Sequence, residues 1–277
     1  MAKKISSRLR ASLAAAEDLS KTARRPSQTR ARSGPPAAKA GYWMYGTHAV
    51  DSALNNPRRI CHELLATQEV AAGLPRQLPV QPRIVTREEL DSLCGRDAVH
   101  QGIALRVEPL TPPDISEVLA ERDGPVLVLD QVTDPRNIGA ILRSAAAFGA
   151  AGVVVQDRNT PPETGTMAKA ASGGLDIVPL LRETNLSRAL ATLQKEGLWV
   201  VGLDAGGGRL DREALGPRRT ALVLGAEGAG LRRLTRETCD EISSIHMPGD
   251  MESLNVSNAA TVALYELTRP GATTDAS

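Results

Sequence analysis

The chain has 277 residues, enough for one large domain or two modest ones, and 42% of them are hydrophobic although only 2% are aromatic. No window reaches the roughly 18 consecutive apolar residues that a membrane helix needs, and the three widely spaced cysteines form no C-x-x-C pair, so neither a zinc site nor a disulfide framework is indicated. The formal net charge of +1 conceals a division between a basic segment, residues 1–40, and an acidic remainder.

Residues 1–40 carry ten basic and two acidic side chains, whereas the rest of the chain carries 23 basic and 30 acidic ones. This segment lacks apolar periodicity and is predicted to be a disordered basic arm. Such an arm is typical of proteins that bind polyanions, because Lys and Arg neutralise phosphates and release counterions. The alternatives are a solubilising tail and a mitochondrial transit peptide. The expected compartment is the bacterial cytoplasm, and the mitochondrial matrix is the second choice, which applies if the arm is a transit peptide.

Residues 41–108 are predicted to form a small α/β domain. Order is expected to begin near Tyr42, followed by a short helix at 48–54. Strands are predicted at 63–66, 83–85 and 101–107, the first two each followed by a helical stretch. The segment 109–123 contains Pro109, Pro112 and Pro113 and is interpreted as a linker.

Residues 124–270 show strands that alternate with helices. Six apolar runs predict strands at 125–130, 152–156, 177–181, 199–203, 221–224 and 244–247. Helical spacing lies between most of them, clearest at 138–148, 186–193 and 256–267. This alternation predicts βαβ units and a mainly parallel sheet, whose ligands bind at the carboxyl ends of the strands.

The loop after the first of these strands leads into a helix that carries Arg143. Asn137 is predicted to open that helix, and Arg143 lies six residues on, about 9 Å along the axis. Because helical side chains tilt toward the amino terminus, Arg143 can reach back toward Asn137. From spacing alone, an N-capping Asn137 and a solvated Arg143 remain the favoured interpretation.

Three further loops follow predicted strands. Residues 224–230 are rich in glycine, which lets a backbone approach a ligand closely, although a plain turn fits equally well. Residues 245–257 lead to a helix that starts near Asn255, where free amides can bind a ligand, although Ser253, Asn255 and Ser257 also fit helix caps. Residues 205–208 fit a flexible loop. The sequence has no Ser/His/Asp triad and no P-loop, so hydrolase and NTPase functions have no support.

Three motifs in this order resemble those of the SpoU (TrmH-like) branch of the SPOUT methyltransferases. They are D-P-x-N-x-G-x-x-x-R-S at 134–144, G-x-E-G at 225–228 and S-L-N-V-S at 253–257. The resemblance covers about 125 to 268, and three ordered motifs are far more specific than any single one. The segments Y-G-x-H-A-V at 45–50 and A-V-H-Q-G at 98–102 are similar to the ends of the small RNA-binding domain of such enzymes.

The resemblance implies an α/β fold of the SPOUT α/β-knot type, a mainly parallel sheet with a deep trefoil knot made where the chain after Leu222 threads a loop. A small L30e-like α/β domain would precede it. The implied domain order is a disordered basic arm (1–40), an RNA substrate-binding domain (41–108), a linker (109–123), a SpoU methyltransferase domain with the knot (124–270) and a tail (271–277). A homodimer with each cofactor pocket near the subunit interface is also implied.

The resemblance further implies S-adenosyl-L-methionine as cofactor and no metal. Gly225, Ile245 and Leu254 are implied to bind the cofactor, chiefly through backbone atoms, and Ala226, Met247 and Asn255 are implied to help. The residues implied in catalysis are Asn137, Arg143, Glu227, Ser253 and Asn255. Arg143 is expected beside the ribose 2′-hydroxyl, with Asn137 orienting it. Because Arg is effectively always protonated, two roles stay open: a literal general base, or a cation that stabilises the alkoxide while a phosphate or water takes the proton.

The expected function is therefore S-adenosylmethionine-dependent 2′-O-methylation of a guanosine ribose in 23S rRNA. The nearest alternative is the same reaction on transfer RNA. Two alternatives come from other classes: a non-catalytic RNA-binding relative and a nicotinamide-dependent dehydrogenase. The loop at 224–230 lacks the G-x-G-x-x-G fingerprint, which argues against the dehydrogenase.

Overall fold

The computed structural model of the chain describes residues 41–226, 228 and 230–270. The predicted basic arm 1–40, the tail 271–277 and Glu227 lie outside the described residues. Two sheets flanked by helices make up the described part of the chain. None of its helices is long and apolar enough to cross a membrane.

The first sheet belongs to residues 41–108, which we call the amino-terminal module. Its four strands lie in the order β1-β4-β2-β3, with β4 antiparallel to both β1 and β2, and with β2 parallel to β3. The strands are β1 (Tyr42–Tyr45), β2 (Cys61–Ala66), β3 (Pro82–Ile84) and β4 (Ile103–Val107), and the helices are α1 (Thr47–Asn55), α2 (Gln68–Ala72) and α3 (Arg87–Cys94). Helix α3 begins with a capping box between Thr86 and Glu89, in which each side chain bonds the other residue's backbone N–H.

The second sheet belongs to residues 124–270, which we call the body. Its strands lie in the order β10-β8-β9-β5-β6-β7, and every neighbouring pair is parallel. The strands are β5 (Val126–Leu129), β6 (Gly152–Gln156), β7 (Leu180–Glu183), β8 (Trp199–Arg209), β9 (Thr220–Leu224) and β10 (Glu241–Ser244). The helices are α5 (Pro135–Ala147), α6 (Gly165–Ala171), α7 (Gly174–Ile177), α8 (Leu186–Lys195), α9 (Arg212–Leu215), α10 (Arg233–Thr238) and α11 (Val256–Thr268), and α4 (Ile115–Glu121) lies before them within 109–123. This parallel sheet confirms the predicted α/β fold class.

The large sheet is buried on both faces, as parallel sheets covered by helices are. All four residues of β5 are buried. Leu127 and Leu129 belong to the core on the side of α5, whereas Val126 and Val128 belong to the core on the side of α8. The apolar runs that predicted these strands are therefore continuous rather than alternating.

The core on the α5 side extends into the amino-terminal module. It includes Met44 of β1 and Val50 of α1, together with Met167 of α6 and Leu175 of α7. The module and the body therefore share one buried apolar cluster.

Some predicted elements were wrong in position. The run at 177–181 is a strand only from Leu180, because Pro179 offers no N–H to a ladder and Ile177 ends α7. The strand predicted at 101–107 begins at Ile103, because Gln101 and Gly102 have φ of 58° and 77° and form a turn. The strand predicted at 244–247 is β10, which ends at Ser244. The segment 205–208, interpreted as a flexible loop, is part of β8.

Candidate active site

A cleft of about 410 Å³ opens at the carboxyl ends of β9 and β10 and beside residues 203–205 of β8, where the pairing of β8 with β9 ends. In a parallel α/β sheet this is the edge at which ligands bind. The volume lies within the range of about 300–1,000 Å³ that small-molecule sites occupy. The residues that line the cleft are Leu203, Asp204, Ala205, Leu224, Gly225, Ala226, Gly228, Gly230, Ser244, Ile245, Met247, Glu252, Ser253, Leu254, Val256 and Ala259.

The wall that follows β9 is built from backbone. Gly230 N–H donates to the carbonyl oxygen of Ala226 at 3.1 Å, so the loop folds back on its own start. A Cβ on Gly225 would collide with the backbone of Gly230 and lie 2.6 Å from the nitrogen of Leu231. Only a residue without a side chain fits there, and the close turn exposes main-chain atoms to the cleft.

The wall that follows β8 is an outward excursion of the strand. Ile242 of β10 pairs with Gly202, but the next residue, Ser243, pairs with Gly208, so residues 203–207 have no partner in β10. This irregularity places Leu203, Asp204 and Ala205 in the cleft lining. β-bulges of this kind re-aim side chains next to active sites.

Asp204 is a cleft residue that the sequence analysis missed. Its Oδ1 accepts from the Ala205 N–H at 2.9 Å, and its Oδ2 pairs with the Arg236 guanidinium of α10. Both contacts hold the carboxylate at the end of the regular part of β8. The only sequence signal was an acidic residue at the end of an apolar run, separated by one alanine from three glycines.

The third wall is the segment between β10 and α11. Ile245, Met247, Ser253 and Leu254 contribute to it. The apolar residues Ile245 and Met247 suggested a longer β10, but their apolar character serves the cleft lining. Glu252 adds a second carboxylate that the sequence analysis did not identify.

Asn255 closes this wall and caps α11. Its Oδ1 accepts from the Ser257 N–H at 2.9 Å, which is the capping contact. Its Nδ2 donates to Oδ1 of Asn137 at 3.1 Å, although the two residues are 118 positions apart. A capping role for Asn255 therefore does not exclude a role in the site, because the same side chain both caps α11 and bonds Asn137.

Asn137 does not cap α5. Asp134 is the cap, since its Oδ1 accepts from the Arg136 N–H at 2.8 Å, and Pro135 occupies the first helical position. Asn137 is therefore not the helix cap that the spacing favoured, and its side chain is hydrogen bonded to Asn255. A second contact, Ser144 Oγ to Thr261 Oγ1 at 2.7 Å, joins α5 to α11 one position beyond Arg143.

Arg143 is exposed on α5. In the part of the chain that the structure describes it makes no hydrogen bond or ion pair, and it is not among the residues that line the cleft. Of the residues predicted to bind the cofactor, all but Asn255 line the cleft, and Asn255 lies between two that do. Ser253 lines it as well, and Glu227 lies outside the described residues. The roles of these residues stay predictions.

Replacing Asn255 by Ala is expected to lower the free energy of unfolding by about 1 kcal/mol, because the cap of α11 is lost. Asn255→Asp is the matched control. It keeps the cap acceptor for Ser257 and removes the amide that donates to Asn137. Chemical denaturation of the three proteins measures the difference, and equal destabilisation by Ala and Asp would show that the cap contributes little.

The cleft fits S-adenosylmethionine. Most of the residues that line it are apolar or glycine, and Glu252 supplies negative charge for a cationic ligand, while Asp204 is paired with Arg236. Among the described residues, no group of three or more His, Cys, Asp or Glu side chains is placed so that it could hold a metal ion. Burial raises the pKa of the Cys239 thiol to about 11, so this thiol stays protonated at neutral pH.

Two family models match the chain. The model described as SpoU rRNA Methylase family matches residues 124–265. The model described as RNA 2'-O ribose methyltransferase substrate binding matches residues 43–113. The first covers the body and the second the amino-terminal module.

Curated relatives match over nearly their whole length. A protein of Vibrio vulnificus (strain CMCP6) named 23S rRNA (guanosine-2'-O-)-methyltransferase RlmB is 40% identical over 238 residues, which is 82% of this chain and 96% of the relative. The protein of the same name from Escherichia coli (strain K12) is 40% identical over 237 residues, which is 82% of this chain and 97% of the relative.

Solved structures share the fold. The SpoU methyltransferase AviRb from Streptomyces viridochromogenes, in complex with AdoMet, superposes with a TM-score of 0.70 at 26% identity, covering 83% of this chain and 90% of that one. An AdoMet-bound rRNA methyltransferase from Sinorhizobium meliloti gives a TM-score of 0.69 at 23% identity, covering 83% and 87%. The ordered motifs, the parallel sheet with its strand-end cleft, the family models and the curated relatives lead to one conclusion: the chain belongs to the SpoU rRNA methylase family.

Proposed function

We propose that this protein transfers the methyl group of S-adenosylmethionine to the ribose 2′-hydroxyl of a guanosine in 23S rRNA. The observation that carries the proposal is the cleft at the carboxyl ends of β9 and β10 and at residues 203–205 of β8, beside which Asn137 and Asn255 are hydrogen bonded. The reaction and the substrate are those in the names of the relatives that match 82% of the chain at 40% identity.

The cofactor is assigned to this cleft. Main-chain atoms of Gly225, Ala226 and the segment 245–254 hold it, and Asn255 closes the pocket beside it. Glu252 favours a positively charged ligand over a neutral one, because opposite charges attract, whereas the charge of Asp204 is already paired with Arg236. When bound, S-adenosylmethionine supplies a methyl carbon made electrophilic by the sulfonium.

We assign Arg143 to the 2′-oxygen of the substrate. Its guanidinium stays protonated, so it stabilises the negative charge that develops on the oxygen as the O–H proton passes to a phosphate of the RNA or to water. The new bond forms between this oxygen and the methyl carbon, and the carbon–sulfur electron pair stays with sulfur. Asn137, held by Asn255, orients the ribose, and Ser253, two residues before Asn255, contacts it. Glu227 is assigned to orienting Arg143 or the substrate. Such alignment of the reacting atoms supplies several kcal/mol of the rate acceleration.

A methyl-transfer assay tests the proposal. Purified protein is offered labelled S-adenosylmethionine with protein-free 23S rRNA or with bulk transfer RNA, and the product is mapped by mass spectrometry. A 2′-O-methylguanosine in 23S rRNA supports it. Label in transfer RNA instead would keep the chemistry and overturn the substrate. Absence of both methyl transfer and cofactor binding would favour a non-catalytic RNA-binding protein.

We assign the amino-terminal module to RNA binding, and we expect the protein to act in the cytoplasm.

We also propose that the protein is a homodimer. The exposed Val262 and Tyr265 of α11 support the dimer, because large apolar side chains on one helix face suit an interface. Tyr265 also packs edge to face with Phe148 behind α5. Sedimentation of the protein with Tyr265→Glu tests the dimer. The trefoil knot belongs to the same proposal and is supported by the order of β8, β9 and β10 in the sheet.

Deleting residues 1–40 is expected to weaken RNA binding and to flatten its salt dependence, while cofactor affinity stays unchanged. Each phosphate contact that the ten basic residues make contributes about 0.7 to 0.9 to the slope of log affinity against log salt. Filter binding at several salt concentrations measures the slope. A full-length arm with Gln in place of its Lys and Arg separates charge from length, and an unchanged slope in both variants would contradict a phosphate-binding arm.

A further inference from the structure

Arg59 is a buried cation at the join between the amino-terminal module and the body. Its side chain is fully enclosed, and it lies between α1 and β2 of the module. Its Nη1 donates to Glu163 Oε2 at 2.7 Å and its Nε to Asp176 Oδ1 at 2.8 Å. Both carboxylates belong to the body, Glu163 just before α6 and Asp176 within α7. The contacts therefore cross from one part to the other.

Further donors of the module and the following segment converge on the same two carboxylates. The Tyr42 hydroxyl donates to Glu163 Oε2 at 2.8 Å, and the Leu110 N–H donates to Oε1 at 3.1 Å. Asn56 Nδ2 donates to Asp176 Oδ1 at 3.0 Å. Burial, and then the charge of Glu163, raises the pKa of Tyr42, so its hydroxyl remains a donor at neutral pH.

This network adds directional hydrogen bonds to an interface that also contains the shared apolar cluster. Burial of apolar surface is non-directional and holds two parts together without fixing an angle between them. A buried ion pair contributes little net stability, because desolvation offsets the attraction, but its hydrogen bonds require one geometry. Here two carboxylates and one guanidinium set that geometry at the join.

The body side of the network is built onto the helix that carries Arg143. Asp176 lies in the four-residue helix α7, whose first residue, Gly174, packs against α5. A Cβ on Gly174 would lie 2.6 Å from the carbonyl oxygen of Leu142 and 3.0 Å from the nitrogen of Arg143. Asp176 and α7 thus connect the module to the backbone of α5 at Arg143.

We propose that Arg59, Glu163 and Asp176 are positioning residues that fix the orientation of the amino-terminal module relative to Arg143, so that RNA held by the module presents its ribose at the cleft. The RNA part of this inference rests on the proposed function, whereas the orientation itself does not. The module, held in this orientation, sets the distance between the part of the RNA that it binds and the ribose that is methylated.

The test uses the full chain with nitroxide labels at Ile84→Cys of the module and Arg188→Cys of the body, both exposed, after replacement of the three native cysteines by Ala. The network is removed by the triple variant Arg59→Met, Glu163→Gln and Asp176→Asn, which leaves no buried charge unpaired. Arg58→Met is the matched control, because Arg58 is exposed and adjacent. Pulsed electron paramagnetic resonance gives the label-to-label distances, and assays give KM for 23S rRNA and Kd for S-adenosylmethionine.

We expect the triple variant to broaden the distance distribution at least twofold and to raise KM for the RNA at least tenfold, with Kd for the cofactor within twofold of the parent. Arg58→Met should leave the distance distribution and the cofactor Kd unchanged. A distribution as narrow as that of the parent would overturn the orienting role. A broad distribution with an unchanged KM would overturn its use in RNA positioning.

Failure of the parent to methylate RNA would overturn the proposed function, and the distances would still decide the orientation. If the triple variant does not fold, Tyr42→Phe with Asn56→Ala removes two of the directional bonds and leaves the ion pairs. We expect this double variant to broaden the distance distribution less than the triple variant does. A distribution as narrow as that of the parent would again overturn the orienting role.

Discussion

Replacing Arg143 by Ala is expected to lower kcat for methyl transfer by about a hundredfold or more, while the Kd for S-adenosylmethionine stays within twofold. Loss of one donor that stabilises a developing oxyanion typically costs about 10²–10³ in rate. Arg143 is exposed on α5 and lines no part of the cleft, so its removal leaves the cofactor walls intact. Single-turnover kinetics with 23S rRNA and calorimetry with the cofactor measure the two quantities.

Arg136→Ala is the control for general loss of positive charge from α5. Arg136 is exposed in the first turn of the same helix, and its side chain has no assigned role. We expect its kcat to remain within a few fold of wild type. Arg143→Lys keeps the charge but loses the planar fork, so an intermediate rate would indicate that geometry as well as charge contributes. Full methyl transfer by Arg143→Ala would remove Arg143 from the mechanism.

Replacing Gly225 by Ala is expected to weaken S-adenosylmethionine binding by about 5- to 150-fold. The added Cβ meets the backbone of Gly230 and Leu231, neither of which is a flexible side chain, so the loop must move. Overpacking of this kind costs about 1–3 kcal/mol, which corresponds to that range of affinity. Calorimetric titration of the purified variant with the cofactor measures it.

Gly208→Ala provides the comparison. An added Cβ at Gly208 meets nothing within 4 Å, and this glycine belongs to β8 but not to the cleft lining. We expect wild-type cofactor affinity from it. If Gly225→Ala also binds the cofactor with wild-type affinity while remaining folded, the loop at 225–230 is not the cofactor wall.

Apolar periodicity predicted the architecture of the body well. Helices α5, α8 and α11 lie where the spacing placed them, because each buries one apolar stripe against the sheet. The strands β5 and β9 are short, fully buried runs, and β6 is buried except at Gln156, so their position follows from that composition alone.

The end of β10 and the length of β8 were not predictable in this way. Ile245 and Met247 are apolar because they line a cleft, and a local pattern does not separate a cleft wall from a strand. The glycines after Asp204 suggested a loop, yet they continue β8 after an excursion that only the pairing with β10 reveals.

The candidate site depended on contacts between distant parts of the chain. The motifs indicated Asn137 and Asn255, but their hydrogen bond joins two helices that are adjacent only in the folded protein. Spacing favoured Asn137 as a cap because Asn is a good cap; Asp134 occupies that position instead, with Pro135 after it. Arg59 carried no signal, since two consecutive arginines after a proline do not indicate that the second is buried between two carboxylates.

The apolar cluster that runs from Met44 and Val50 to Met167 and Leu175 has an evolutionary consequence. A substrate domain that is merely tethered can be exchanged for another by recombination at the linker. In this protein the faces of α6 and α7 are complementary to β1 and α1, so a transplanted domain would leave an apolar surface exposed and two carboxylates buried without a cation. Exchange of the module alone is therefore expected to destabilise the body, so under the proposed function a new RNA target is expected to arise more readily through substitutions on the outer surface of the retained module.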